Sequence, residues 1–325
     1  MTVEVNKNIE NKPINQLFLY EYNSMFNFFI NIIKKKKLPK CSILSGQKGL
    51  GKATFAYHLV NYLLSINEKF KYSTESNYID PQNESYNLVK SNTHPNFFLI
   101  DNNESEDNIK IEQVRNLLKF LRNTTYKNNL KIILIDNVES LNLNAANALL
   151  KCLEEQTQNT FFILVQNNSD EIIDTIKSRC IEFKFFLSEV NKKKVISCLF
   201  EQHNIDIKIS DLYLKNFYYE TPGNLLNYSK AFENNKVDLF NDTVSIIYVF
   251  IDFYLKNGTS EILSYISTLI EKFYNDLIQK KPSENKKYFF NRSKILKLLT
   301  DMRKFNLDSK NTFLNIKDIL KADAR

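Results

Sequence analysis

Three of the chain's five glycines, Gly46, Gly49 and Gly51, fall within six residues of Ser45-Gly46-Gln47-Lys48-Gly49-Leu50-Gly51-Lys52-Ala53-Thr54. A chain of 325 residues that avoids glycine almost everywhere else has a backbone reason to gather it here. Apolar Ile43-Leu44 comes just before, and Phe55 to Leu64 reads as an amphipathic helix just after. In a strand, glycine-rich turn and helix, successive backbone N–H groups point inward and cradle a phosphate, and the helix N-terminus favours its negative charge. Lys52 stands where it reaches the outer phosphates. The pattern G-x-x-x-x-G-K runs from Gly46 to Lys52, but the next position calls for Ser or Thr to hold Mg²⁺ and is Ala53. Thr54 carries a hydroxyl one residue too late. The stretch therefore predicts a phosphate-binding loop and leaves hydrolysis as a separate question.

Four further stretches read as strands like the one before this loop. Phe97-Phe98-Leu99-Ile100 ends in Asp101, Leu130 to Ile135 ends in Asp136, Phe161 to Val165 leads into Gln166-Asn167-Asn168, and Ile181 to Phe185 closes the series. Short continuous apolar runs separated by helical stripes, such as Ile111, Val114, Leu117, Leu118 and Leu121, predict buried parallel strands in an α/β sheet wrapped on both faces. A first helix is expected from Leu17 to Ile33, ending in Lys34-Lys35-Lys36-Lys37. That lysine run reads as a solvated helix end favoured by the dipole, or as a contact for phosphate backbone. Residues 66–92 are polar, rich in Asn and Ser and without clear period, and read as a loop or loosely packed insertion.

From Ser188 onward no strand is expected. Helices over 188–200, 209–219 and 225–232, punctuated by Thr221-Pro222-Gly223, form a small helical unit. The stripe Val244, Ile247, Val249, Phe250 and Phe253 opens a region expected to be helical to the end and wide enough in its apolar faces for a bundle or subunit contact. The expected division is 1–186 as the α/β domain, 187–237 as a helical lid and 238–325 as an all-α domain.

The net charge of +7 permits a nucleic-acid partner without requiring one, because Lys, Asn, Ile, Tyr and Phe all have AT-rich codons. Arginine is scarce: Arg115, Arg122, Arg179, Arg292, Arg303 and Arg325 are the only six. A retained arginine in such a chain marks geometry that lysine does not supply. Cys41, Cys152, Cys180 and Cys198 are widely spaced with no C-x-x-C pair, so they read as small buried residues of a reduced, cytoplasmic protein, and neither zinc nor another metal is expected. No signal peptide or membrane-spanning stretch is read.

Around the loop, Asp136 ends a strand where a carboxylate orients Mg²⁺ and its waters. The acid that would polarise an attacking water directly after it is replaced by Asn137, and the nearest acid is Glu139. Asn167, at the end of another strand, is placed to sense a γ-phosphate or is an ordinary surface amide.

The loop Gly46–Thr54, Leu134-Ile135-Asp136, Asn147-Ala148-Leu149-Leu150-Lys151 followed by Leu153-Glu154-Glu155, and Ser178-Arg179-Cys180 together resemble the bacterial clamp-loader AAA+ subunits. The Gly-Lys-Ala-Thr loop, His94-Pro95 and Ile111-Glu112-Gln113-Val114-Arg115 are most similar to the delta-prime branch of that DNA polymerase III family, in the style of alphaproteobacteria. The resemblance covers residues 13–235; beyond them the chain matches only in being helical, where the family has its oligomerisation collar.

The resemblance implies an AAA+ P-loop domain, a helical lid and a collar. It implies work beside gamma/tau and delta subunits, placing a sliding clamp on primer-template DNA. It also implies that Arg179 acts in trans, as an arginine finger on the γ-phosphate of a neighbour. Gly46, Gly49, Gly51, Lys52, Ala53, Thr54, Asp136 and Asn167 are the expected nucleotide-binding residues. The departures at Ala53 and Asn137, and the lack of an arginine in Thr221-Pro222-Gly223-Asn224 where motor subunits carry a lid arginine, imply that ATP or ADP is held weakly or statically and that Mg²⁺ is doubtful. A gamma/tau-type motor ATPase, and a P-loop replication adaptor or helicase loader, are the alternative readings.

Overall fold

The structure, a computed structural model, describes residues 12–101, 108–123, 130–154, 159–167, 172–205, 220–234, 242–257 and 260–324. Glu155, Asn168 and the helix expected over 209–219 lie outside them. The chain forms two compact units, one running to Ile205 and including Thr221–Asn224, the other made of 206–220 and 225–325.

The first unit is built on five parallel strands: β1 (Cys41–Gly46), β2 (Phe97–Ile100), β3 (Lys131–Ile135), β4 (Thr160–Asn167) and β5 (Ile181–Lys184), in the order β2-β3-β4-β1-β5. The period of two along each strand sends side chains to opposite faces. Ile132 and Leu134 of β3 join Leu44, Ile163 and Val165 in one core, against α1 (Asn23–Lys34) and α2 (Lys52–Leu64). Ile133 and Ile135 join Ile43, Phe162 and Leu164 in the other, against α4 (Ile111–Arg122), α5 (Leu143–Glu154) and Ile176 of α6 (Asp174–Lys177). Burying one such aliphatic side chain is worth about 1.5–3 kcal/mol, which is why near-continuous apolar runs encode this sheet. The helix α7 (Glu189–Gln202) follows β5, with Ser188 capping it by accepting from Asn191 N.

Two expectations need correction. The first helix begins at Asn23, because Leu17–Leu19 is extended and hydrogen-bonds along residues 77–79: Leu19 N donates to Asn77 O at 3.0 Å and Ile79 N to Leu17 O at 2.9 Å. The stretch 66–92 is packed and not loose. Tyr72, Ile79, Tyr86 and Val89 are buried, and α3 (Glu84–Lys90) is capped by the Asn83 side chain, which also accepts from Asn61 Nδ2 at 2.9 Å. Its asparagines and serines are structural hydrogen-bonding groups, which is why no apolar period announces them.

The cysteines also depart from expectation. The register Ser42↔Ile181 sets the preceding residues side by side, and Cys41 and Cys180 form a disulfide with Cα atoms 4.6 Å apart. Cys152 is buried and Cys198 half-buried, and neither is in a disulfide.

The second unit is helical among its described residues: the body of α8 (Pro222–Asn234), then α9 (Thr243–Asn257), α10 (Ser260–Lys280), α11 (Asn285–Lys304) and α12 (Ser309–Asp323). Ile247, Phe250, Ile266, Ile270, Ile295 and Ile316 are among its buried residues. Asp323, 2% exposed, accepts from Tyr274 Oη and Asn291 Nδ2 at 2.9 and 2.7 Å and pairs with Lys287 Nζ at 3.1 Å, fastening the last helix. No described helix is long and apolar enough to cross a membrane.

Candidate functional site

The glycine-rich loop leaves the C-terminal end of β1, flanked in the sheet by β4 and β5, and enters α2 at Lys52. Gly49 and Gly51 have φ of +84° and +85°, in the left-handed region where a Cβ is penalised. Lys52 is 3% exposed, and its ammonium donates to Gly46 O at 2.8 Å, Gln47 O at 2.6 Å and Asn167 Oδ1 at 2.9 Å. An ammonium has three N–H donors, and here each has a protein acceptor. Burial lowers its pKa to about 8, against the raising influence of Asp136 and Glu139.

Asp136, just beyond β3, is pushed up to about 7 by burial and the neighbouring Asp101 carboxylate, while the Asn137 N–H, donating at 3.0 Å, and Lys52 pull the other way. Asn137 has φ of +57°, a conformation asparagine tolerates better than most residues. This turn carries Glu139 back toward β4. Asn167 Nδ2 donates to Asn137 Oδ1 at 2.7 Å and to Glu139 Oε1 at 2.8 Å, and Asn167 N donates to the same carboxylate oxygen at 3.1 Å. Asn167 therefore ties the ends of β3 and β4 to the loop lysine. The expected site residues Gly46, Lys52, Asp136 and Asn167 do meet, with Ala53 and Thr54 in the first turn of α2.

Thr221-Pro222-Gly223-Asn224 closes over this loop. Thr221 Oγ1 donates to Lys48 O at 2.7 Å and Gly223 N to Gly49 O at 2.9 Å. Both glycines are needed for the approach: a Cβ on Gly49 would collide with Thr221 Oγ1, and one on Gly223 would stand 2.9 Å from Gly49 Cα. Three features of this arrangement bear on how a magnesium nucleotide would be held. Position 53 has no hydroxyl, the Lys52 donors are engaged and the crown of the loop is covered.

Arg179 lies elsewhere. It precedes β5, and since Ser42 pairs with Ile181 in parallel register, Arg179 stands beside Lys40 at the start of β1. Gly46 is six residues further along that strand, roughly 20 Å away at ~3.3 Å per residue. The guanidinium has its Nη1 donating to Thr175 O at 2.9 Å, its Nη2 against Glu154 Oε1 at 2.5 Å, and a side chain 38% exposed. Glu154, Glu139 as acceptor for Asn167, and the seat of Thr221 and Gly223 on the loop were not assigned from the sequence. The Glu154 contact follows from the packing of α5 on α6, which no local spacing reveals.

Comparison with known proteins bears on this arrangement. A relative from Pseudomonas aeruginosa, DNA polymerase III subunit delta', is 33% identical over 140 residues, 43% of this chain and 41% of that relative. DNA polymerase III subunit gamma of Buchnera aphidicola subsp. Baizongia pistaciae is 33% identical over 172 residues, 52% of this chain and 44% of its own. The chain spans about half the length of the curated relatives it matches. In fold, it resembles a solved gamma subunit-related protein of Thermotoga maritima, with a TM-score of 0.51 at 17% identity, over 92% of this chain and 99% of that one. The profile of the family described as DNA polymerase III, delta subunit, matches residues 22–188, just over half the chain. The chain belongs to that family.

Proposed function

We propose that this chain is a non-motor subunit of a bacterial clamp loader. It lends Arg179 to the nucleotide site of a neighbouring gamma/tau-type subunit and does not itself turn over ATP. The observation that carries the reading is the position of Arg179: it stands at the end of the sheet away from the chain's own phosphate loop, half-exposed, with N–H donors that the described residues leave for an outside anion. A planar guanidinium stabilises charge on a transferring phosphoryl group better than a flexible ammonium does. The closed loop supports the second half, since a nucleotide would have to displace Thr221 and Gly223 and draw Lys52 off Gly46, Gln47 and Asn167. Any ATP or ADP held here is held weakly, and Mg²⁺ lacks its hydroxyl ligand. In this reading the partners are gamma/tau and delta subunits, and through them the sliding clamp and primer-template DNA, in the cytoplasm.

The test is reconstitution. Arg179→Ala is expected to abolish DNA-stimulated ATPase of the assembled loader while leaving its assembly intact, and ATPase that survives the change overturns the assignment. The gamma relative keeps a motor-subunit reading alive. It predicts that the isolated chain hydrolyses ATP and loses that activity on Lys52→Ala.

A further inference from the structure

The guanidinium of Arg179 is held at two points, and both holders have a place in the fold that makes them specific. Thr175 O belongs to the short helix α6 on which the arginine rides. Glu154 is the last residue of α5, on a different element, and its carboxylate oxygen meets Nη2 at 2.5 Å. Ser178 Oγ, at 3.5 Å from Nη1, adds only a marginal contact. Arginine has five N–H donors in a fixed fork, so among the described residues one bond from each terminal nitrogen leaves the Nε–H and one hydrogen on each terminal nitrogen for a ligand. An exposed arginine samples many rotamers, and tethering it at two points lowers the entropy lost when it engages an anion.

We infer that Glu154 is a positioning residue: it presents the Arg179 guanidinium to the polyphosphate of the neighbouring subunit. The inference rests on the reading that Arg179 acts in trans. Glu154 does not touch the nucleotide. It fixes the direction of the fork, and as an exposed carboxylate it holds the arginine without neutralising it as a buried pair would. Because the finger meets the transferring phosphoryl group, where charge builds in the transition state, the benefit of holding it in place falls more on the turnover step than on the capture of ATP.

The experiment measures steady-state ATPase of loader reconstituted with wild-type, Glu154→Ala, Glu154→Asp, Glu154→Gln, Arg179→Ala and doubly substituted chains, with assembly checked by gel filtration. Glu154→Ala should lower kcat about tenfold with KM within about twofold, the signature of an interaction realised in the transition state. Glu154→Asp should recover part of the loss. Adding Glu154→Ala to Arg179→Ala should cost nothing further. If Glu154→Ala fails to assemble, Glu154→Leu, which keeps the bulk and removes the acceptor, carries the same test, and Glu154→Gln, which keeps one neutral acceptor, should lose less. A kcat that is unchanged or raised by the Glu154 substitutions, while Arg179→Ala is inactive, overturns the positioning role and leaves the finger standing. Full ATPase in Arg179→Ala overturns the finger itself, and the positioning role with it.

Discussion

Asp136 is the residue whose surroundings oppose its charge most openly. Burial and the Asp101 carboxylate raise its pKa from the ordinary 3.8 to about 7, and neither the Lys52 ammonium nor the Asn137 N–H offsets them. The folded chain therefore binds this proton more tightly than the unfolded chain does. Its contribution to stability is whole below about pH 4 and is lost as the pH rises through about 7. Asp136→Asn keeps an acceptor for the Asn137 N–H and removes the ionisation. The variant should match wild type in urea denaturation at pH 4 and exceed it at pH 8, by up to about 4 kcal/mol. A gain of the same size at both pH values would mean that ionisation is not its source. The sequence marked Asp136 by its place at a strand end. Its proximity to Asp101 was not legible, because that depends on β2 and β3 being neighbours in the sheet.

At the scale of elements, the contact between the glycine loop and the start of α8 joins the Thr221 hydroxyl on Lys48 O to a close backbone approach that two glycines, Gly49 and Gly223, allow. Alanine is favoured over glycine inside a helix by about 1 kcal/mol, so Gly223→Ala in a free helix end would be mildly stabilising. Here the new methyl would stand 2.9 Å from Gly49 Cα and from Gly49 O, and a backbone cannot rotate away as a side chain can. The substitution should lift the segment off the loop. Amide exchange at position 223, whose N–H now donates to Gly49 O, should quicken by about tenfold or more, while the amides of β1 and β4 keep their protection. Unchanged exchange at that position would show that the two segments are not held as described. The strands β1 to β4 and the stripe of α4 could be read from sequence because their burial is local in pattern, whereas β5, expected as a buried strand, lies at the sheet edge and is largely exposed, with Ile181 54% exposed. Residues 17–22 and 66–92 could not, because asparagine and serine side chains and pairing across some sixty residues decide them.

For the molecule as a whole, parallel strands were foreseeable from apolar runs separated by helices, whereas the order β2-β3-β4-β1-β5 was not. That order decides what the charged residues can do. It brings Lys52, Asp136, Glu139 and Asn167 into one network at the C-terminal ends of the strands and leaves Arg179 at the opposite end, beside the start of β1. Two substitutions should therefore have crossed effects. Lys52→Ala strips the donor from Gly46 O, Gln47 O and Asn167 Oδ1, and unpaired buried acceptors cost about 1–3 kcal/mol each, so the isolated chain should melt earlier. Loader reconstituted with it should still hydrolyse ATP near the wild-type rate, since turnover in this reading belongs to the neighbours. Arg179→Ala removes an exposed pair worth at most about 1 kcal/mol, so the isolated chain should melt as wild type does while the loader loses its ATPase. Melting curves and ATPase rates on the same preparations decide the matter. If instead Lys52→Ala silences a properly assembled loader, the closed loop must open to hold a working nucleotide, and this chain is a motor in its own right.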